Sequence, residues 1–367
     1  MTADHDLPAI ASRFAITGTI GEIAPLPGGH IHDSCCLTCL DGAVTSRYLL
    51  QRVNTNIFPE PLLVMENIRR VTAHLRRRLL CRRLPDIERR VLTLIPTRQG
   101  ESALRDESGS FWRLYAFIEH AVTHETVPSP RHAYEAGRAF GFFQEMLSDW
   151  SDAPLHSTIP NFHDTPLRLD AMMQAVAADA CGRVAVARPE IDRLVQHRSL
   201  AAILEDLARS GEIPERIVHN DAKISNVLFD AATEEALCVV DLDTVMPGLS
   251  LHDFGDLVRS MTSPTAEDEQ DLSKVGVQLD LFEALTRGYL SAAGPFLSDT
   301  ERRHLVAAAK VITWEQAVRF LTDFLRGDPY YKTSRPMHNL DRCRTQLRLV
   351  ESLIECEPRL RRIAEQA

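Results

Sequence analysis

The sequence has no long apolar run. Nowhere does one reach the roughly 20 residues that a membrane-spanning helix requires, so no membrane association is expected. It has no basic excess either: 41 Lys and Arg stand against 51 Asp and Glu, a formal net charge of −10. Such a chain offers no general attraction for nucleic acid or anionic lipid. Met1 to Ile20 mixes Asp4, Asp6, Pro8 and Arg13 with short apolar runs and lacks the basic start and continuous apolar stretch of a secretory signal. A cytoplasmic location is therefore expected. No internal repeat or low-complexity tract occurs. No Gly-x-x-x-x-Gly-Lys-Ser/Thr segment is present, so a P-loop fold finds no support.

The eight cysteines are scattered, which reads as mostly reduced thiols. The Cys35-Cys36-x-x-Cys39 group beside His32 invites a zinc reading. Strand alternation would split Cys36 from Cys39, and no second ligand pair lies nearby, so no structural metal is expected there.

Of the 367 residues, 44% are hydrophobic and 25% charged, an ordinary balance for a globular enzyme. Ile31 to Leu40 reads as extended chain, Asp41-Gly42 as a turn and Tyr48-Leu49-Leu50 as the start of another strand. Met65, Ile68, Val71, Leu75 and Leu79 recur at helical spacing after Pro59 and Pro61. Val91 to Pro96 and Phe111 to Ile118 look like two more strands. Beyond Pro128-Ser129-Pro130 the character changes. Helices are predicted over Arg131 to Trp150, Leu167 to Asp179, Ile191 to Ser210, Leu272 to Ala292 and Glu301 to Arg326. The expected class is α+β, with a small antiparallel-sheet amino lobe over 1–118 and a larger, mainly helical carboxy lobe over 119–367.

The informative stretch runs from Ile217 to Asp256: IVHNDAKISNVLFD, LCVVDLDTVMPG and LHDFGD. Short apolar runs lead into its acidic groups, so the core behind them can place them. The segments His219 to Asn226 and Val240 to Gly248 resemble the aminoglycoside-phosphotransferase-like branch of the protein-kinase-like superfamily. The similarity is nearest to N-acetylhexosamine 1-kinases. Leu50 to Asn54, Met65 to Ile68 and Val318 to Asp323 extend it over most of the chain.

That resemblance implies a protein-kinase-like two-lobed fold, ATP and Mg2+ as cofactors, and phosphoryl transfer. The reaction needs a hydroxyl held in line with the terminal phosphate and positive charge against the phosphate oxygens. Asp221 would orient the hydroxyl and accept its proton. Asn226 would offer an amide oxygen to magnesium, and Asp241 would bridge metal and phosphates, hard oxygen ligands suiting that ion. Taken singly, Asp221 would more often be a turn or cap residue and Asn226 a local hydrogen-bonding residue. Lys223 would neutralise the transferring phosphate, against an exposed amine as the plain reading. His219 reads as structural. Asp243 would contact sugar hydroxyls or hold the metal loop, and His252, Asp253 and Asp256 would steady that loop.

Pro27 to Ser34, with Gly28 and Gly29, would cover the ATP phosphates; by itself it would read as a hairpin turn. Protein kinases place a lysine on the third strand, paired with a helix glutamate. Here that region reads Gln51-Arg52, with Glu66 as the helix candidate, and alternation lets only one of the two face inward. Phe117 and Glu119 mark the hinge where adenine would lie. Arg319, Tyr330 and His30 are the sugar-pocket candidates, alongside Asp221 and Asp243.

The expected activity is ATP-dependent phosphorylation of an N-acetylhexosamine at the anomeric O1. Alternatives are a non-acetylated sugar, choline or an amino alcohol as acceptor, or a nucleotide-binding pseudokinase, which the three retained polar residues disfavour. RNA binding through the arginines of Arg69 to Arg90 is the remaining alternative; a solvated helix face explains them more simply. A small-molecule sugar is the only partner expected: no nucleic acid, and no obligatory protein.

Overall fold

The computed structural model describes residues 5–26 and 31–367. It is an α+β chain that divides into two compact units. One comprises residues 1–121, 153–160 and 237–246; the other comprises 122–152, 161–236 and 247–367.

The first unit is built on an antiparallel sheet. Its strands are β1 (Thr19–Pro25), β2 (Asp33–Asp41), β3 (Val44–Val53), β4 (Leu94–Ile95), β5 (Leu104–Arg105) and β6 (Phe111–Ala116), in the order β1-β2-β3-β6-β4, with β5 also on β6. Gly42, at φ +60°, turns the β2–β3 hairpin in a conformation that only glycine adopts cheaply. One face carries Leu37, Cys39, Tyr48, Leu50, Trp112 and Leu114. These pack with Ile10 and Ala11 of the short helix α1 (Leu7–Ser12) and with Phe14. Burying a large apolar side chain of this kind contributes about 1.5–3 kcal/mol. Cys35 and Cys39 are buried, whereas Cys36, one position out of phase, is only half-buried, and all eight cysteines are free thiols.

Helix α2 (Pro61–Cys81) begins on Pro61 at its first turn, where the missing N–H costs nothing. It buries the expected Met65, Ile68, Val71, Leu75 and Leu79. The four-residue helix α3 (Ile87–Arg90) follows. The strand expected over Val91 to Pro96 is only two residues long, and that over Phe111 to Ile118 stops at Ala116.

The second unit is helical: α4 (Pro130–Leu147), α5 (Thr165–Ala178), α6 (Arg188–Gln196), α7 (Ile203–Arg209), α8 (Ser250–Met261), α9 (Leu279–Ala293), α10 (Asp299–Arg303), α11 (Leu305–Leu325) and α12 (His338–Gln366). Buried residues occur all round α11, as expected of a central helix. Helices α4 and α9 touch backbone to backbone. A Cβ on Gly137 would lie 2.3 Å from Leu285 O, and one on Gly288 would lie 2.0 Å from Tyr134 O.

Three predicted helices are interrupted. Ile191 to Ser210 splits because its buried leucines shift phase: Leu194 and Leu200 are six apart, a spacing met by a 3₁₀ turn at Arg198–Leu200. Leu272 to Ala292 starts only at Leu279, after Gly276. Glu301 to Arg326 breaks at His304, where α10, opened by the Ser298–Glu301 capping box, gives way to α11. Helix α12 lay outside the prediction, although Leu340, Cys343, Leu347, Val350 and Leu353 recur at helical spacing and are buried.

Candidate active site

In the second unit, the strand Arg216–Val218 delivers His219, Asn220 and Asp221 from the core, and a 3₁₀ turn at Ile224–Asn226 returns the chain to the strand Val227–Asp230. His219 is fully buried against the rings of Phe140 and Phe143. Asn220 adopts φ +65°, uncommon outside glycine. Asp253, buried on α8, secures this turn by accepting the amides of His219 at 2.9 Å and Asn220 at 2.7 Å. Gln144 donates to Asp253 at 2.7 Å and accepts from the Tyr289 hydroxyl at 2.6 Å, so the α4–α9 contact supports the loop.

The Asp221 carboxylate, 27% exposed, accepts from Lys223 Nζ at 2.8 Å and Asn226 Nδ2 at 3.1 Å, both on Oδ2. Its Oδ1 has no partner among the described residues. Burial opposes ionisation, but the Lys223 ammonium, His219 and the Asn226 amide outweigh it and hold the carboxyl at about 2. Asn226 also donates to Asp221 O at 2.9 Å. With Nδ2 spent, its Oδ1 is the acceptor left for a cation.

The first unit carries Asp241 and Asp243. Asp241 has φ +60° and opens a 3₁₀ turn at Leu242–Thr244. Sheet register puts Ser34, Gln51 and Arg113 in one row across β2, β3 and β6. Gln51 donates to Ser34 Oγ at 2.9 Å and accepts from Arg113 Nε at 3.0 Å. Arg113 spans Asp243 with both terminal nitrogens, and His32 Nε2 bonds the same carboxylate. His32 Nδ1 accepts the Asn54 amide at 3.1 Å, leaving the ring proton on Nε2, aimed at Asp243. Arg113 is 2% and Asp243 1% exposed. Burial opposes ionisation of Asp243, yet Arg113 and His32 hold it far below the carboxylate range.

His32, Asp241 and Asp243 have ligand atoms within 4.8 Å of one another. The donors of His32 and Asp243 are committed to Asn54, Arg113 and each other; Asp241 brings a further carboxylate to this group. The Asp241 carboxylate in the first unit and the Asn226 amide oxygen in the second are each hard oxygen donors of the kind magnesium prefers.

The remaining candidates fall as follows. Arg52 lies on the opposite face of β3 from Gln51, bonded to Asp33 and, at 3.2 Å, to His5. Glu66 is 3.9 Å from Arg70 and 3.0 Å from His156 Nε2. The α2 residue that reaches the acidic turn is Asn67, which donates to Val245 O at 3.1 Å. The Glu119 side chain pairs with Arg47, whose guanidinium also lies 4.3 Å from the Phe117 ring. The Phe117 amide donates to Arg47 O and Glu119 O accepts from Arg89. Main-chain groups of Ile118 have no partner among the described residues. Gly28, Gly29 and His30 lie outside the described residues.

Arg319 lies over Phe162 at 4.8 Å and near Tyr331 at 6.0 Å, donates to Gln316, and has no carboxylate partner among the described residues. Tyr330 is 48% exposed; its amide and that of Tyr331 donate to Asp323. Sequence reasoning missed Arg113 and Asn67. The signal for Arg113 was an arginine set within the apolar run Phe111 to Ala116.

A family model described as a phosphotransferase enzyme family matches residues 22–279. Solved structures share the fold. A microcompartment-associated aminopropanol kinase has a TM-score of 0.61 and 16% identity over 96% of this chain and 97% of that one. An aminoglycoside phosphotransferase from Alicyclobacillus acidocaldarius gives 0.58 and 14% over 98% and 96%. A choline/ethanolamine kinase family protein from Mesorhizobium loti gives 0.53 and 16% over 100% of both chains. At such identities the likeness is one of fold.

Proposed function

This chain belongs to the phosphotransferase enzyme family, whose activity is ATP-dependent transfer to a small alcohol, and we propose that the alcohol is an N-acetylhexosamine taken at its anomeric O1. The observation that carries the catalytic reading is Asp221: one oxygen is clamped by Lys223 and Asn226, and the other is open. A carboxyl held at about 2 is a weak base that stays ionised. It therefore orients the hydroxyl and takes its proton late, which suits a loose transition state demanding little early deprotonation. Lys223 keeps that charge in place and adds positive charge beside the reacting group. Asp241 and Asn226 would hold Mg2+, which when bound offsets the charge of the ATP phosphates. Asp243 takes the loop-holding role, since Arg113 and His32 occupy it.

The acceptor assignment rests on the motif resemblance and on charge. Arg319 and Arg168 have no carboxylate partner among the described residues, and burial together with the Arg319 charge depresses Arg168. Unpaired guanidinium groups favour a neutral ring of hydroxyl and carbonyl acceptors over a cationic acceptor. The second reading, choline or an amino alcohol, is favoured by the substrates named for two fold relatives, aminopropanol and choline/ethanolamine.

Incubation with ATP, Mg2+ and a panel of acetylated hexosamines, free hexosamines, choline and amino alcohols, followed by phosphorus NMR, separates the readings. An anomeric sugar phosphate is expected. Product only from amino alcohols would select the second reading. Asp221→Asn should keep nucleotide binding and lose about 10²- to 10⁴-fold in turnover.

A further inference from the structure

Asp221 is aimed by the peptide that joins it to Asn220, and both polar groups of that peptide are held by imidazoles. Its N–H points to His219 Nδ1 at 3.3 Å, and its carbonyl, Asn220 O, lies 3.0 Å from His163 Nε2. The other ring nitrogen of His163 is 2.8 Å from Glu315 Oε1 on α11. Glu315 uses its second oxygen to accept the Thr165 hydroxyl at 2.6 Å. His163, Glu315, Thr165 and Asn220 are all buried.

A main-chain carbonyl and a carboxylate can only accept. Both ring nitrogens of His163 must therefore carry protons, which makes it an imidazolium. The surroundings agree. Burial opposes both charges, but Glu315 lifts His163 above its ordinary 6.5, and His163 with Thr165 and Arg319 holds Glu315 at about 2. The other groups facing His163 are Arg319 of α11 and His252 of α8, whose ring is 4.8 Å away, with Glu205 of α7 4.0 Å behind it. Burial and the His163 charge push His252 down to about 3, so it stays neutral and does not compete for the proton.

We propose that His163 is a positioning residue for phosphoryl transfer: locked as an imidazolium by Glu315, it holds the Asn220 carbonyl and sets the peptide plane that directs Asp221. The role rests on Asp221 acting in the reaction as proposed above. It also ties α11, which carries Arg319 one turn beyond Glu315, to the loop that performs the chemistry. A buried ion pair that only stabilised the fold would leave the rate per folded molecule untouched.

Three full-length proteins test it: the wild type, His163→Gln and Glu315→Gln. Nitrogen-15 NMR of the wild-type imidazoles should show a buried histidine that keeps both ring nitrogens protonated above pH 6.5. His163→Gln should lose about 10- to 100-fold in kcat with KM for ATP little changed. Glu315→Gln keeps an acceptor oxygen but removes the charge. Its kcat should be near wild type at acidic pH and fall through the neutral range, where the wild type remains flat. If His163→Gln does not fold, Glu315→Gln decides. A Glu315→Gln protein with wild-type kcat and pH profile, or a wild type with no doubly protonated buried histidine, overturns the inference alone. A folded wild type that phosphorylates nothing in the panel overturns the catalytic reading and the inference together.

Discussion

Arg113 grips both oxygens of Asp243 from the middle of a strand. The pair is almost wholly buried, and its guanidinium is braced by Gln51, the residue directly across the ladder. The lysine that protein kinases place on the third strand has no counterpart in Val44–Val53, and a cation from the neighbouring strand lies beside the acidic turn. Its charge is spent on Asp243, two residues past Asp241, so it orders the turn.

Removing either partner leaves a buried charge unpaired, which typically costs about 3–5 kcal/mol. Arg113→Met and Asp243→Asn should each lower the urea midpoint strongly. The double variant should lose much less than the sum, because residues in contact do not act additively. Additive losses would show that the pair is not coupled.

Lys223→Met should move the acid limb of the rate profile upward. Asp221 is held at about 2 against an ordinary 3.8, a depressed carboxyl. Its contribution to stability is complete above the ordinary value and is lost as pH falls from 3.8 towards 2. Without the ammonium, protonation begins at higher pH. Profiles of kcat over pH 3–6 that superimpose for both proteins would contradict this.

Asp241→Asn removes the charged oxygen donor and Asn226→Ala the neutral amide one, so both should raise the Mg2+ concentration needed for half-maximal rate. A magnesium titration at saturating ATP checks it. Arg52→Gln, whose side chain lies on the opposite face of the sheet from Gln51 and Asp243, serves as the comparison. An unshifted midpoint in Asp241→Asn would remove Asp241 from the metal site.

Gly288→Ala should destabilise the second unit. The added methyl would sit 2.0 Å from Tyr134 O, and backbone there cannot yield cheaply. Overpacking of this kind costs about 1–3 kcal/mol. Thermal unfolding should report the loss, and an unchanged Tm would mean that α4 and α9 are less tightly apposed than the structure has them.

Much of this was legible in local sequence. The buried face of α2 followed from apolar spacing, and the α+β division followed from strand-like runs giving way to helical ones. Helix ends were harder, as at His304 and Gly276, because the apolar stripe continues across the break. Asp221 and Asn226, five residues apart, meet through one 3₁₀ turn, a relationship that close spacing makes visible.

The chain order alone picks out Asp221, Asn226 and Asp241 as the residues proposed to carry the chemistry of this phosphotransferase, because carboxylate, amide and carboxylate stand next to short buried strands that fix them locally. Tertiary structure alone decided what holds them: Arg113 reaches Asp243 across 130 residues, and Glu315 reaches His163 across 152. Burial is the reason. An arginine in a strand or a glutamate in a helix reads as an ordinary surface charge until the fold removes water from around it. Only then must it find a partner of opposite charge, however distant in the chain.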